Sequence, residues 1–155
     1  TSQPTPVGPA ETAESAPADI DSQLAYLIEE EKLAHDVYVA LGELWGTQIF
    51  ERISSSESSH EEAVANLLPT YGVDDPRSAA PGVFTDTALQ ALYDDLIAQG
   101  SQSLADAVQV GITIEKTDIA DLSAAIPDAP DDVARVLERL LAASQSHLAA
   151  FERQA

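Results

Sequence analysis

The segment LAYLIEEEKLAHDVYVALGELW, residues 24–45, repeats apolar side chains at the three- and four-residue spacing of an α-helix. The repeat is interrupted in its middle by Glu31 and His35, which fall on the apolar stripe. The apolar members of the stripe are Leu24, Leu27, Ile28, Tyr38, Leu41 and Trp45. Because side chains three or four residues apart share one helix face, the segment predicts a long helix with polar groups at the centre of its buried face.

Three further long segments show the same periodicity, and the four together predict an all-α protein. The predicted long helices are Ser22 to Leu44 or Trp45, Thr47 to Leu68, Ser101 to Ile126, and a last helix capped by Asp128 that ends near Arg153. A shorter helix, Asp86 to Ala98, is expected within the long connection between the second and third helices. The first and last connections are short, so each joins antiparallel neighbours. The expected fold is a four-helix bundle with one long crossover, an arrangement typical of ferritin-like proteins.

Polar residues also interrupt the other three stripes near the middle of each helix. The interrupting residues are Glu57 and His60, Glu115 and Asp118, and Ser144 and His147. Because the centres of helices in an antiparallel bundle lie at one level, this spacing predicts a single polar layer in the core.

A bound metal ion would explain such a layer. Carboxylates buried together repel one another and favour uptake of a proton, and a cation removes that cost. The predicted ligands are Glu31, Glu57, His60, Glu115 and His147, with His35, Asp118 and Ser144 as further candidates. Carboxylates and imidazoles suit iron, manganese or zinc, and the expected cofactor is iron, as one or two ions, with manganese or zinc as the alternatives.

Other interpretations of the same residues stay open at this level. Any one acid of the run Glu29–Glu31 could face inward, and His35 could lie at the edge of the core. Tyr38 could hydrogen-bond a metal ligand or act only as a core aromatic residue. Glu61 and Glu62 are expected on a solvated face. A metal-free bundle with a protonated polar layer is a further alternative.

The charge of the chain limits the classes of partner that it is expected to bind. The 155 residues include 27 Asp and Glu against 7 Lys and Arg, a formal net charge of −20. Such a surface repels phosphate backbones, so nucleic acid is not an expected partner, whereas metal ions are. The same composition is typical of salt-adapted organisms.

There is no cysteine in the sequence, which excludes disulfides and thiolate metal sites. No apolar stretch reaches the roughly 18–20 residues of a membrane span.

The first 18 residues, TSQPTPVGPAETAESAPA, differ in composition from the rest of the chain. They hold too few large apolar side chains to offset the entropy of folding, so residues 1–18 are predicted to be a disordered tether and residues 19–155 the bundle. Tethers of this kind often follow a cleaved signal or lipid-anchor sequence. The expected location is therefore outside the cell or at its surface, with a cytoplasmic location as the alternative.

Several motifs resemble those of a known superfamily. Glu57-Ser-Ser-His60 is similar to the Glu-x-x-His element of ferritin-like di-iron carboxylate proteins. The segment Glu31-Lys-Leu-Ala-His-Asp-Val-Tyr38 resembles the first ligand helix of rubrerythrins, and Glu115-Lys-Thr-Asp-Ile119 resembles the third. The resemblance is closest to the ferritin-like family named domain of unknown function 2202, and it extends from about Asp21 to Arg153.

The resemblance implies a function and also exposes one departure. It implies a di-iron oxidoreductase that acts on ferrous iron, dioxygen or peroxide, with Glu115 as the bridging ligand, and it makes a homodimer an expected assembly. The superfamily has a second Glu-x-x-His on the fourth helix, but here the segment is Ser144-Gln-Ser-His147. Since Ser144 stands in place of a carboxylate, the alternative is a non-catalytic metal-binding or structural module tethered at the cell surface.

Overall fold

The computed structural model describes residues 19–155, and the predicted tether, residues 1–18, lies outside them. The α-helices are α1 (Ile20–Trp45), α2 (Gln48–Ala65), α3 (Leu68–Tyr71), α4 (Thr87–Gly100), α5 (Leu104–Ala125) and α6 (Asp131–Gln154). A 3₁₀ turn, Ile126–Asp128, separates α5 from α6. Residues 19–155 contain no strand, which confirms the all-α prediction.

The helix ends follow local capping chemistry. Asp19 caps α1, since its Oδ1 accepts the backbone N–H of Ser22 at 2.8 Å. Gly46 ends α1 in the left-handed conformation, with a φ of 67° that favours glycine. Ser103 caps α5 by accepting the N–H of Asp106 at 2.9 Å, so α5 begins at Leu104.

Three predicted boundaries were wrong by a few residues. The second helix ends at Ala65 rather than Leu68, and Pro69 lies in the first turn of the short helix α3, where its missing N–H costs nothing. The third helix starts after Ser103 and not at Ser101. Asp128 belongs to the 3₁₀ turn, and the residue preceding α6 is Pro130, which offers no side-chain cap.

The four long helices pack around a common core. α1 packs against α2 and α5, and α6 packs against α5 and α2, while α4 lies across α1 and α5. The apolar core has two clusters. One contains Val37, Leu41, Phe50, Val110 and Phe151. The other contains Leu24, Ile28, Val64, Leu122 and Leu140.

The order of these two clusters along each helix gives the helix directions. The Leu24 cluster comes first along α1 and α6, and the Phe50 cluster comes first along α2 and α5. α1 and α6 therefore run one way, and α2 and α5 run the other way. On each of the four helices, a buried polar residue of the stripe lies between the two apolar clusters, and these residues are Glu31, Glu57, Glu115 and Ser144. The polar groups thus form one layer at mid-height of the core.

The connection from α3 to α4 is fixed on α1 by three buried charged residues, Glu29, Lys32 and Asp36, which we call the crossover anchor. Lys32 Nζ donates to Asp36 Oδ2 at 2.7 Å and to the carbonyl oxygens of Ala80 and Val83 at 3.0 Å each. The Glu29 carboxylate accepts backbone N–H groups from the same connection, at Thr85 and Asp86. Lys32 Nζ also lies 4.4 Å from the centre of the Phe84 ring, a buried residue of the same connection, so the anchor and this ring together hold the connection over α1.

None of the helices within residues 19–155 is long and apolar enough to cross a bilayer.

Candidate metal centre

The mid-height layer brings together side chains from all four long helices. Its members are Glu31 from α1, Glu57 and His60 from α2, Glu115 and Asp118 from α5, and Ser144 and His147 from α6. The four carboxylates are at most 4% exposed, and the side chains of the two histidines are 12% exposed. All five predicted ligands therefore meet in one place, together with two of the three further candidates.

Glu57 lies at the centre of this layer, between the two histidines. Its Oε2 accepts from His60 Nδ1 and its Oε1 accepts from His147 Nδ1, each at 3.1 Å. The two imidazole rings are stacked with their centroids 5.9 Å apart. Each oxygen of Glu57 is thus paired with one histidine, and the carboxylate joins the two halves of the layer.

A second carboxylate completes each half. His60 Nδ1 lies 3.4 Å from Glu31 Oε2, and His147 Nδ1 lies 3.3 Å from Glu115 Oε1. Two groups of potential ligand atoms result, each with its atoms within 4.8 Å of one another. They are Glu31, Glu57 and His60, and Glu57, Glu115 and His147. Glu57 is the carboxylate common to both, whereas the sequence had suggested Glu115 for the bridging role.

Glu31 has an unmet need for a positively charged or proton-donating partner. Neither of its buried carboxylate oxygens has a hydrogen-bond partner within the described residues. Burial first, and then the nearby charges of Asp118 and Glu57, raise the pKa of Glu31 well above its usual value. A buried acid in this state is costly unless a proton or a metal cation neutralises it.

The charges of the second half are balanced by His147. Burial opposes the imidazolium, but hydrogen bonds to Glu115 and Glu57 outweigh it and raise the pKa of His147 to about 9. Burial of Glu57 is likewise outweighed by bonds from His147 and His60, so its pKa falls below the usual value. Burial raises the pKa of Glu115 to about 7, although His147 opposes the shift. In the metal-free protein, the positive charge of protonated His147 offsets the negative charge of the carboxylates, as a bound cation would.

Ser144 binds a neighbouring acid of the layer. Its Oγ donates to Asp118 Oδ2 at 2.7 Å, and both side chains are buried. The other oxygen of Asp118, Oδ1, has no hydrogen-bond partner among the described residues. Burial raises the pKa of Asp118 to about 6, although the Ser144 bond opposes this. Ser144 thus supplies a hydroxyl at the place where a second Glu-x-x-His would supply a carboxylate.

Tyr38 has both of the roles that the sequence left open. Its hydroxyl donates to Glu115 Oε1 at 2.9 Å, so it contacts a candidate ligand directly. Its ring is fully buried and packs against Phe50 and Phe151, with centroids 6.0 Å and 5.4 Å away. Tyr38 therefore orients Glu115 and forms part of the apolar wall on one side of the layer.

His35 does not join the layer. Its side chain is 31% exposed and its Nδ1 donates to Asp36 Oδ1 at 3.0 Å, on the side of α1 that carries the crossover anchor.

The expectation that Glu61 lies on a solvated face was wrong, because Glu61 is buried. It accepts from Arg77 of the crossover at 3.1 Å, which explains why an acid is tolerated there.

Glu30 is a buried acid that the sequence analysis did not single out. It is 9% exposed, and neither carboxylate oxygen has a hydrogen-bond partner within the described residues. Burial, and then the charges of Asp118 and Asp121, raise its pKa to about 10. Helical periodicity selects only one acid of the Glu29–Glu31 run for the stripe, so the pattern gave no sign that all three are buried.

The donor set fits a metal cation. Oxygen and imidazole donors from three carboxylates and two histidines converge, and among residues 19–155 neither oxygen of Glu31 has a hydrogen-bond partner. Such donors suit iron, manganese and zinc, while the absence of thiolates makes soft metals poorer candidates. The residues present could therefore hold one ion on each side of Glu57.

Comparisons with known proteins identify the family. Residues 19–155 match the family described as "Uncharacterized protein domain (DUF2202)". The chain is 43% identical over 127 residues to "Uncharacterized protein MJ0754" of Methanocaldococcus jannaschii. The matched region covers 81% of this chain and 69% of that relative. The chain also resembles the crystal structure of hypothetical protein MJ0754 from Methanococcus jannaschii, with a TM-score of 0.84, 38% identity, and coverage of 99% of this chain and 85% of that one. The chain therefore belongs to the DUF2202 family, as its motifs predicted.

Proposed function

We propose that this chain is a metal-binding protein with a ferritin-like four-helix fold, and that its polar layer holds metal ions on the two sides of Glu57. The observation that carries the proposal is the position of the Glu57 carboxylate, with one histidine on each of its oxygens. Each histidine also has a further acid beside it, so two groups of oxygen and imidazole donors of the kind that bind metal ions share this carboxylate. The helix directions and the long crossover support the ferritin-like part of the proposal.

Each metal position would have its own ligands. Glu31 and His60 would hold one ion, Glu115 and His147 would hold the other, and Glu57 would contact both. Iron is the metal we propose first, and manganese or zinc would suit the same donors. Bound iron would supply the electrons for reduction of dioxygen or peroxide.

The surrounding residues would control the site. Tyr38 holds Glu115 Oε1 and limits the orientations open to that carboxylate. Phe50 and Phe151 pack beside Tyr38 and exclude water from that side of the layer. Ser144 keeps Asp118 in a fixed orientation, with one carboxylate oxygen still unpaired.

Metal content tests this proposal. The protein would be stripped with a chelator, reconstituted with ferrous iron or manganese, desalted and examined by elemental analysis. We expect metal at both positions in the wild type, loss of both in Glu57→Ala, and loss of one in His60→Ala. Glu62→Ala is the matched control, because Glu62 is an exposed acid on the same helix. A metal content near zero in the reconstituted wild type would contradict the proposal.

A non-catalytic metal-binding module is the second candidate. The observation in its favour is Ser144, which leaves α6 without the carboxylate that the helix of a symmetric di-iron site would supply. Stopped-flow oxidation of ferrous iron under air separates the two candidates. An oxidation rate above the buffer control supports an oxidoreductase, and a rate equal to that control in protein that retains its metal supports the binding module.

A further inference from the structure

A small cavity lies beside the polar layer, between α1, α4 and α5. Its volume is about 30 Å³, and it is lined by Glu30 and Asp118 together with Leu33, Leu92, Leu96 and Thr117. A cavity of roughly 10–15 Å³ already accepts one water molecule, so this one has room for a single small ion. It belongs to neither of the two ligand groups that share Glu57.

The two acids that line this cavity have unpaired oxygens. Glu30 is 9% exposed with neither oxygen hydrogen-bonded, and Asp118 is 4% exposed with Oδ1 unpaired, within the described residues. Buried polar atoms are nearly always paired, so three unpaired oxygens in one place indicate a missing partner. No lysine or arginine lines the cavity, so the two acids are neutralised there by a proton or by an external cation that replaces it.

Glu30 also lines a cleft at the surface. Its volume is about 280 Å³, and Glu30 and Asp121 are its acidic lining residues. Asp121 is exposed, Asp118 is buried one turn earlier on α5, and Glu115 is buried one turn before that. Residues three apart share a helix face, so α5 presents a line of acids that leads from solvent to the polar layer, with Glu30 beside it on α1.

We propose that Glu30 and Asp118 form an auxiliary cation site that holds one divalent metal ion on its way from the surface cleft to the Glu31 position. The proposal rests on the proposed function, since it supplies the metal for that layer. Asp121 attracts the ion at the mouth of the cleft. Glu30 and Asp118 replace its lost waters with carboxylate oxygens, and Glu31, with both oxygens unpaired, receives it. A neutral Glu30 that serves only in packing would give metal loading no dependence on this side chain.

The test is the rate at which cobalt(II) enters the metal-free protein. Cobalt(II) alone is mixed with the full chain in a stopped-flow instrument, and its visible absorption reports binding to the histidine-containing layer. Glu30 can exchange its proton for the metal ion, whereas Gln cannot, so we expect Glu30→Gln to slow loading by about 10-fold, the lower end of the effect of an acidic entry route, with an unchanged final amplitude. Asp121→Asn should slow it less, because its carboxylate is exposed.

The matched control is Glu43→Gln, which removes one charge from an exposed position on the same helix. If Glu30→Gln loads as fast as Glu43→Gln, the auxiliary site is wrong and the proposed function stands. If the wild type gives no cobalt signal and retains no metal, the proposed function fails and the auxiliary site fails with it.

A second measurement does not depend on a variant. Wild-type crystals soaked in manganese would be examined by anomalous diffraction. A peak between Glu30 and Asp118 supports the auxiliary site. Peaks on both sides of Glu57 with none between Glu30 and Asp118, at saturating manganese, would overturn it.

Discussion

The crossover anchor and the polar layer both bury acids on α1, yet they satisfy them in opposite ways. In the anchor, Glu29 accepts two backbone N–H groups, and Asp36 accepts from Lys32 Nζ and the Gly82 N–H. In the layer, Glu31 lies two residues beyond Glu29, and neither of its oxygens has a hydrogen-bond partner in the described part of the chain. Burial is similar in the two places, since Glu29 is 2% exposed and Glu31 is 1% exposed.

The difference shows which buried carboxylate has all its hydrogen-bond partners within the fold and which one requires a ligand. A buried acid whose oxygens all have donors has its desolvation cost offset within the fold, and nothing else is needed. A buried acid without donors keeps that cost until a proton or a cation arrives. Unpaired oxygens, rather than burial or acidity, therefore separate the candidate metal ligand Glu31 from the structural acid Glu29 within the described residues.

The largest effect on stability is expected when the anchor is broken. Lys32→Met keeps the buried stem but removes the charge, and it leaves Asp36 buried without its cation. Removing one partner of a buried pair costs about 3–5 kcal/mol, and urea unfolding of the metal-free protein would measure this loss. Lys116→Met is the matched control, because Lys116 is exposed. Equal stability of the two variants would mean that the anchor pair contributes little.

A smaller effect for each bound ion is expected when metal is removed from the layer. Ligand that binds only the folded state stabilises it, by about 2.7 kcal/mol per site at about 100 times Kd. Adding a chelator to the reconstituted wild type should therefore lower the melting temperature, and Glu57→Ala should melt at the same temperature with or without the chelator. An unchanged wild-type melting temperature would favour the metal-free bundle with a protonated layer.

The smallest effect concerns the response of the anchor to acid. Burial opposes ionisation of Asp36, but hydrogen bonds from His35, Lys32 and Gly82 outweigh it and hold its pKa below the usual 3.8. A lowered pKa means that the stabilisation is complete above pH 3.8 and is lost as the pH falls through the folded value.

The free energy of unfolding of the wild type and of Asp36→Asn, measured in urea from pH 7 downward, would check this. Their difference should be constant at neutral pH and shrink below pH 3.8. A difference that shrinks already between pH 7 and pH 5 would show that another group is responsible.

Most of the fold could be predicted because the helices are long and periodic. The stripes of α1, α2, α5 and α6 each contain several large apolar residues, so their existence depends on no single position. The ends were less predictable, because Pro69 is compatible with a first helical turn as well as with a helix stop. The polar layer could also be predicted, since Glu57 and His60 replace apolar residues on a buried stripe.

The surroundings of His35, Glu61 and Glu30 could not be predicted from helical periodicity. The exclusion of His35 depends on its bond to Asp36, and the burial of Glu61 depends on Arg77, which lies in the irregular crossover. Glu30 is buried because α4 and α5 cover that side of α1, a contact made by distant parts of the chain. Such contacts between a helix and a long connection leave no repeating pattern in the sequence.

The run Glu29–Glu31 has a consequence for how relatives of this chain should be compared. Successive residues of a helix point about 100° apart, so three identical letters face the crossover, the α5 seam and the polar layer. Substitutions in the three alignment columns should therefore follow different rules. Gln could replace Glu29 in part, because an amide oxygen still accepts an N–H, whereas Glu31 would tolerate only another anionic ligand. A one-residue deletion in this run would hardly change the local sequence. It would nevertheless turn the remaining glutamates toward different surroundings among the crossover, the α5 seam and the polar layer.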